Sequence, residues 1–139
     1  MKVVIVGGVA GGATAAARIR RLDEKAEIVV FERSGYISYA NCGLPYYIGD
    51  VITDAEELTL QTPESFYSRF RVDMRVHHEV TAIHPEKKTV SVKNLKTGEE
   101  FEESYDKLIL SPGAKPTQPR FSGADIDKVF TLRTVEDTL

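Results

Sequence analysis

The 139 residues, 42% hydrophobic and 28% charged, supply enough apolar side chains for one compact domain and would crowd two. A net charge of -3 argues against nucleic acid as a partner, because that requires a basic excess or stripe, so any anion site must be local. The single cysteine, Cys42, excludes an internal disulfide and fits a reducing cytoplasm; no run reaches the roughly 20 apolar residues of a membrane span, and no cleavage pattern follows the apolar start.

Val3 to Val6 is an unbroken β-branched run, expected of a parallel strand covered on both faces. It ends in Gly7-Gly8-Val9-Ala10-Gly11-Gly12, and an alanine-rich helical pattern runs from Ala13 to about Leu22. A second buried strand, Ile28 to Phe31, stops at Glu32. Strand, glycine loop, helix and strand within about 30 residues make a βαβ unit. The dinucleotide fingerprint is imperfect: counted from Gly7, its first and third glycines are Gly7 and Gly12, and its middle position is Val9. The context still fits a pyrophosphate on the helix N-terminus, with Glu32 placed to accept from a ribose hydroxyl. These residues leave NAD and FAD open, and Arg33 keeps NADP in view. On the helix, Thr14, Arg18 and Arg21 share one face, either as a forked anion site or as solvated charge near a helix C-terminus.

Ser38 to Tyr47 follows, holding Cys42 among apolar and aromatic residues. A lone cysteine in such company is often a buried, inert thiol. However, Leu44 to Ile48 reads as a short helix with Pro45 in its first turn and Gly49 as its stop. That puts Cys42 at a helix start, where a thiolate is favoured and a nucleophile becomes available. A helical turn is expected at Ala55 to Leu58, and a helix capped by Thr62 begins at Pro63, with Phe66, Tyr67 and Phe70 as its apolar face. Asp73 to Val76 reads as a strand. His77 and His78 would point to opposite faces of extended chain and His84 is isolated, so no metal site is expected. Glu79 to Ile83 is a further strand, and Thr89–Val92 with Glu100–Glu103 flank a polar turn as an antiparallel hairpin. Tyr105 to Leu110 returns to the buried-strand type and feeds Ser111-Pro112-Gly113. Val129 to Leu132 is expected as a last strand, then a helix from Arg133 capped by Thr134. The sequence stops inside that helix, from which a longer protein is expected.

The stretches GGVAGGATAAARIRRLD, YISYANCGLPYYIGDV, FEESYDKLILSPGA and FTLRTVEDT resemble the N-terminal FAD-binding region of the FAD-dependent pyridine nucleotide-disulfide oxidoreductases, in particular the group of coenzyme A disulfide reductases, single-cysteine NADH oxidases and persulfide reductases. The resemblance implies an α/β fold: residues 1–139 as the N-terminal part of a Rossmann-type FAD domain, a parallel sheet with a small antiparallel hairpin element, incomplete relative to the family. NAD(P)H-binding and dimerisation domains would be absent from it. It further implies FAD held by Gly7, Gly8, Val9, Ala10, Gly11, Gly12, Glu32, Arg33, Asn41, Val80, Ser111, Pro112 and Gly113. Cys42 would be the catalytic nucleophile, with coenzyme A bordered by Thr14, Arg18, Arg21, Ser38 and Asn41. A family substrate cation, usually lysine, falls on Phe70, leaving Arg71 beside it as the candidate.

With no second cysteine, oxidised Cys42 must be a mixed disulfide with substrate or a sulfenic acid. The expected activity is NAD(P)H-dependent reduction of coenzyme A disulfide, persulfide or polysulfide, in a cytoplasmic homodimer without nucleic-acid or membrane partners. The alternatives are an NADH oxidase or peroxidase cycling through sulfenic acid, and a catalytically silent FAD-binding fragment.

Overall fold

A computed structural model describes residues 1–123 and 127–139. Four parallel strands form the central sheet in the order β3 (Asp73–Val76), β2 (Glu27–Glu32), β1 (Lys2–Val6), β7 (Lys107–Leu110). The helices α1 (Ala10–Leu22) and α3 (Pro63–Phe70) cover one face, and a three-stranded antiparallel sheet of β4 (His78–His84), β5 (Thr89–Asn94) and β6 (Glu100–Ser104) covers the other. A short helix, α2 (Leu44–Ile48), stands apart with the cysteine segment.

This layering explains why the opening strands show no alternation in sequence. Val3 and Ile5 of β1, with Ile28 and Val30 of β2, pack with Ala13, Ala16, Phe66 and Met74 on the helical side. Val4, Val29 and Phe31 point the other way and meet Val90 and Val92 of β5. Successive side chains take opposite faces, and here both faces are core. β4 and β6 cover the sheet with one face only, which gives them the half-exposed alternation of the hairpin. Glu103 pins the layers at one end, accepting from Lys2 of β1 and, at 3.1 Å, from Arg75 of β3. That carboxylate holds the Lys2 ammonium above its ordinary range, against burial.

Several expectations need correction. α1 begins at Ala10, so Gly11 and Gly12 belong to its first turn rather than to a preceding loop. Tyr67 is 52% exposed; Phe66 and Phe70, four residues apart, stack with ring centroids 4.8 Å apart, whereas Tyr67 lies a hundred degrees round the helix. β7 starts at Lys107, and it is half-exposed because it lies at the sheet edge. Val129 to Leu132 is not a strand: it pairs with no ladder among the described residues, and Phe130 is 84% exposed. The segment after Arg133 is a single 3-10 turn, Glu136–Thr138, instead of a helix. Thr134 does not cap it; the Asp137 carboxylate reaches back to accept from the N–H groups of Arg133 and Thr134, each at 2.7 Å.

Candidate functional site

The glycine loop is an interlock of backbone. Gly7 has a φ of 95°, a region open to glycine at little cost, and its N–H donates to the Phe31 carbonyl at 2.8 Å. A Cβ on Gly7 would stand 2.0 Å from the Ser111 oxygen, and one on Gly12 only 1.7 Å from the Gly7 oxygen. The first and third fingerprint glycines are therefore required by contact between β1, α1 and the end of β7. Val9 has a φ of -96° and a ψ of -130°, a pair outside the main regions open to residues with a Cβ, so the fingerprint's middle position keeps a backbone that suits glycine although valine occupies it. Its side chain packs with the cluster of Tyr39, Leu44, Leu58 and Val135.

Glu32 at the end of β2 is 8% exposed. Its two carboxylate oxygens accept from the N–H groups of Gly8 at 2.8 Å and Ser34 at 2.9 Å, and each keeps a further lone pair. A cavity of about 120 Å³ opens beside it, bounded by Gly7, Arg33, His78, Val80 and Pro112. A second one of about 70 Å³ shares Glu32, Arg33 and Pro112, and continues past Ser111 and Gly113 to Asn41 and Arg133. The two form one trough along the carboxyl edge of the parallel sheet, where open α/β sheets take ligands. Burial, with the nearby Glu32 charge, pushes the Tyr39 phenol above its ordinary range; its O–H donates to the Arg133 carbonyl at 3.3 Å.

The cysteine segment is tied to the loop. The Ser38 N–H donates to the Gly8 carbonyl at 3.0 Å, and Ala40 N–H to Leu58 at 2.8 Å. Ser38 is left-handed, with φ 47°, a conformation that in a non-glycine residue stores strain and persists only when its surroundings impose it. Cys42 lies in a 3-10 turn, Asn41–Gly43, that runs into α2. It is exposed, not buried among the apolar residues around it. The Asn41 Oδ1 is buried and has no hydrogen-bond partner, in a residue that lines the trough.

Thr14, Arg18 and Arg21 are all exposed on the side of α1 away from Ala13 and Ala16. No side chain of the three makes a hydrogen bond or ion pair among the described residues. Arg71, also exposed, occupies the left-handed cap of α3. The structure thus joins Gly7, Val9, Glu32, Arg33, Val80, Ser111–Gly113 and Asn41 around one trough, ties Ser38 to the glycine loop behind it, and leaves the arginine face of α1 as a separate surface. Arg133 was not among the sequence candidates. It lies in the FTLRTVEDT stretch, but nothing in that stretch assigns it a role; only the fold brings it beside Gly113.

The family model described as "Pyridine nucleotide-disulphide oxidoreductase" matches residues 1–139. The chain belongs to this family. Among members, it is 53% identical over 137 residues to a coenzyme A disulfide reductase of Staphylococcus aureus, an alignment that covers 99% of this chain and 31% of that protein. Of solved structures, reduced CoADR-RHD of Bacillus anthracis superposes with a TM-score of 0.94 at 56% identity, covering 99% of this chain and 25% of the other. An NAD-dependent persulfide reductase from A. fulgidus gives 0.91 at 35% identity, with 99% and 26% covered. The chain therefore spans about a third or less of the relatives it matches. None of its helices among the described residues is long and apolar enough to cross a membrane.

Proposed function

We propose that residues 1–139 are the FAD-binding part of an NAD(P)H-dependent flavoprotein that reduces coenzyme A disulfide, or a coenzyme A persulfide, through Cys42. The observation that carries this reading is an exposed, solitary thiol in a segment whose Ser38 N–H is hydrogen-bonded to the Gly8 carbonyl of a phosphate-type glycine loop. The residues fit the dinucleotide. Gly7 and Gly12 let β1, the start of α1 and Ser111 close on one another, which sets the loop at the helix N-terminus, Glu32 has lone pairs left for ribose hydroxyls, and Asn41 offers a buried acceptor without a partner. Gly8 to Gly12 and Arg33 would hold the phosphates and ribose, Val80 the adenine, and Ser111 to Gly113 the far side.

When bound, FAD supplies the two-electron relay from NAD(P)H. The protein's own part is thiol exchange. The Cys42 thiolate attacks one sulfur of the substrate disulfide, a new Cys42–coenzyme A disulfide forms, and the other coenzyme A leaves as thiolate. Two electrons then cleave the mixed disulfide, freeing the second coenzyme A and restoring the Cys42 thiolate. Arg18 and Arg21, with no intramolecular partners among the described residues, are available for the substrate's phosphates. The high identity to disulfide reductases favours this reading over a sulfenic-acid oxidase. We further infer a cytoplasmic homodimer for the complete protein.

Native and denaturing mass spectra of the complete protein are expected to show a bound flavin and a coenzyme A adduct on Cys42. Cys42→Ser should keep the flavin and lose both the adduct and coenzyme A disulfide reduction. Retention of disulfide reduction in that variant would overturn the nucleophile, and oxygen-dependent NADH consumption without coenzyme A release would favour the oxidase.

A further inference from the structure

The glycine loop and the cysteine segment meet at two places, and the backbone is strained at both. The Ser38 N–H donates to the Gly8 carbonyl at 3.0 Å, with Ser38 itself left-handed at φ 47°. One residue further along the loop, Val9 holds φ -96° and ψ -130°, a backbone that glycine would take up at little cost and a residue with a Cβ would not. The loop therefore gives no reason for a valine, but the side chain supplies one. Half-buried, it packs against the cluster of Tyr39, Leu44, Leu58 and Val135. Tyr39 lies three residues before Cys42 and Leu44 two residues after it, and they are 8% and 2% exposed. The thiol, exposed on its 3-10 turn, thus stands between two buried neighbours that share their packing with the loop. A β-branched side chain has little freedom at χ1, which makes Val9 a stiff link, and strained backbone persists only where its surroundings impose it.

We propose that Val9 is a positioning residue for the Cys42 thiol: through Tyr39 and Leu44 it fixes the 3-10 turn to the glycine loop, and so sets where the thiol stands relative to a cofactor seated on that loop. The proposal rests on the reading of the trough as the FAD site and of Cys42 as the nucleophile. In that reading two electrons drawn from NAD(P)H reach the Cys42–coenzyme A disulfide and break its S–S bond to leave two thiolates, a step whose rate falls steeply when the reacting atoms are misplaced. The backbone of Val9 belongs to the phosphate loop and its side chain serves the thiol.

The test uses the complete flavoprotein, with every rate taken per bound flavin. Val9→Gly removes the link and frees the backbone, Val9→Ala removes the two methyl groups and keeps the Cβ, and Val9→Ile restores a β-branched side chain. Amide hydrogen exchange reads the turn itself: the Gly43 N–H donates to the Ala40 carbonyl at 2.8 Å. Its exchange is expected to be about tenfold faster in Val9→Gly and Val9→Ala, the loss of about two partly buried methyl groups, and to return to the parent's rate in Val9→Ile. In rapid mixing, the rate of cleavage of the Cys42–coenzyme A disulfide, divided by the rate of flavin reduction by NAD(P)H, should fall about tenfold in the same two variants. Val135→Ala trims the same cluster away from the loop and is the control for stability alone. From a site 2% exposed, it should lower the thermal midpoint more than Val9→Ala does and change the ratio by less than about twofold. Should Val9→Gly not hold flavin, Val9→Ala carries the test. Parent-like exchange and ratio in Val9→Ala overturn the positioning role, as does an equal fall of the ratio in Val135→Ala. If Cys42→Ser still reduces coenzyme A disulfide, the reading of Cys42 itself fails, whatever the Val9 variants do.

Discussion

Replacing Gly12 by alanine tests the loop interlock most directly. In an exposed helix the exchange favours folding by about 1 kcal/mol, since alanine is the better helix former. At Gly12 the new methyl would stand 1.7 Å from the Gly7 oxygen and 3.2 Å from Ile5 Cγ2. Restoring a non-bonded separation of about 3.5 Å forces the carbonyl and α1 apart by about 2 Å. Neither can yield freely, because Gly7 is also pressed against the Ser111 carbonyl and bonded to Phe31. Overpacking of this kind costs about 3 kcal/mol at the upper end of its usual range, which leaves a net loss of about 2 kcal/mol after the helix gain. Gly11→Ala is the internal control. Its Cβ would meet only the Ser111 side chain, Oγ at 3.0 Å and Cβ at 3.2 Å; rotation moves the hydroxyl away, and a small shift relieves the Cβ contact. Urea unfolding and flavin content per chain, measured on the complete protein, should show Gly12→Ala unfolding earlier and flavin-poor, and Gly11→Ala close to the parent. A Gly12→Ala protein with the parent's midpoint and full flavin would refute the reasoning.

Glu32→Ala removes the acceptor of two amides, those of Gly8 and Ser34. It should lower unfolding free energy by about 2 kcal/mol or more, whereas Glu32→Gln, which keeps one acceptor oxygen, should lose less; equal stability of Glu32→Ala and parent would contradict the assignment. Asp137 is held below the usual carboxylate range by the Thr134 N–H, against burial, with the Arg133 N–H adding to it. A depressed folded-state value means stabilisation present above the unfolded pKa of about 3.9 and lost as pH falls through the folded one. Asp137→Asn should therefore be less stable than the parent at pH 7, with the gap narrowing as pH falls below the unfolded value and through the folded one; a gap unchanged across the acid range would show that charge plays no part.

Much of the fold was legible because its signals are local. Unbroken apolar runs marked strands buried on both faces, Thr62-Pro63 marked the start of α3, and period-two alternation marked the hairpin. The failures share a cause. Val129 to Leu132 has strand composition, yet a strand needs a partner, and pairing is decided by topology rather than propensity. Thr134 looked like a cap because threonine accepts from following amides; here an acidic residue downstream accepts from preceding ones. The trough was readable at Gly7, Gly12 and Glu32, whose roles follow from chemistry at fixed spacing. Arg133 was not, since only topology brings it beside Gly113, and neither was Arg20, whose guanidinium grips the Phe70 and Arg71 carbonyls, since nothing in sequence distinguishes it from its solvated neighbours. Cys42 could be weighed in sequence, but its exposure was visible only in the fold.

β1 is paired on one side with β2 and on the other with β7, whose partner residues begin at Lys107. Its first neighbour follows within about twenty-five residues and its second only after about a hundred. At ribosomal rates of roughly 5–20 residues per second, that second edge stays open for about 5–20 s while the chain grows. For most of that interval Val4, and Val29 and Phe31 once made, also lack β5, whose Val90 and Val92 cover them in the finished layer. The sheet that carries the trough thus begins with a strand whose second side waits about a hundred residues for company, and its most apolar surface is the one most in need of shelter during synthesis.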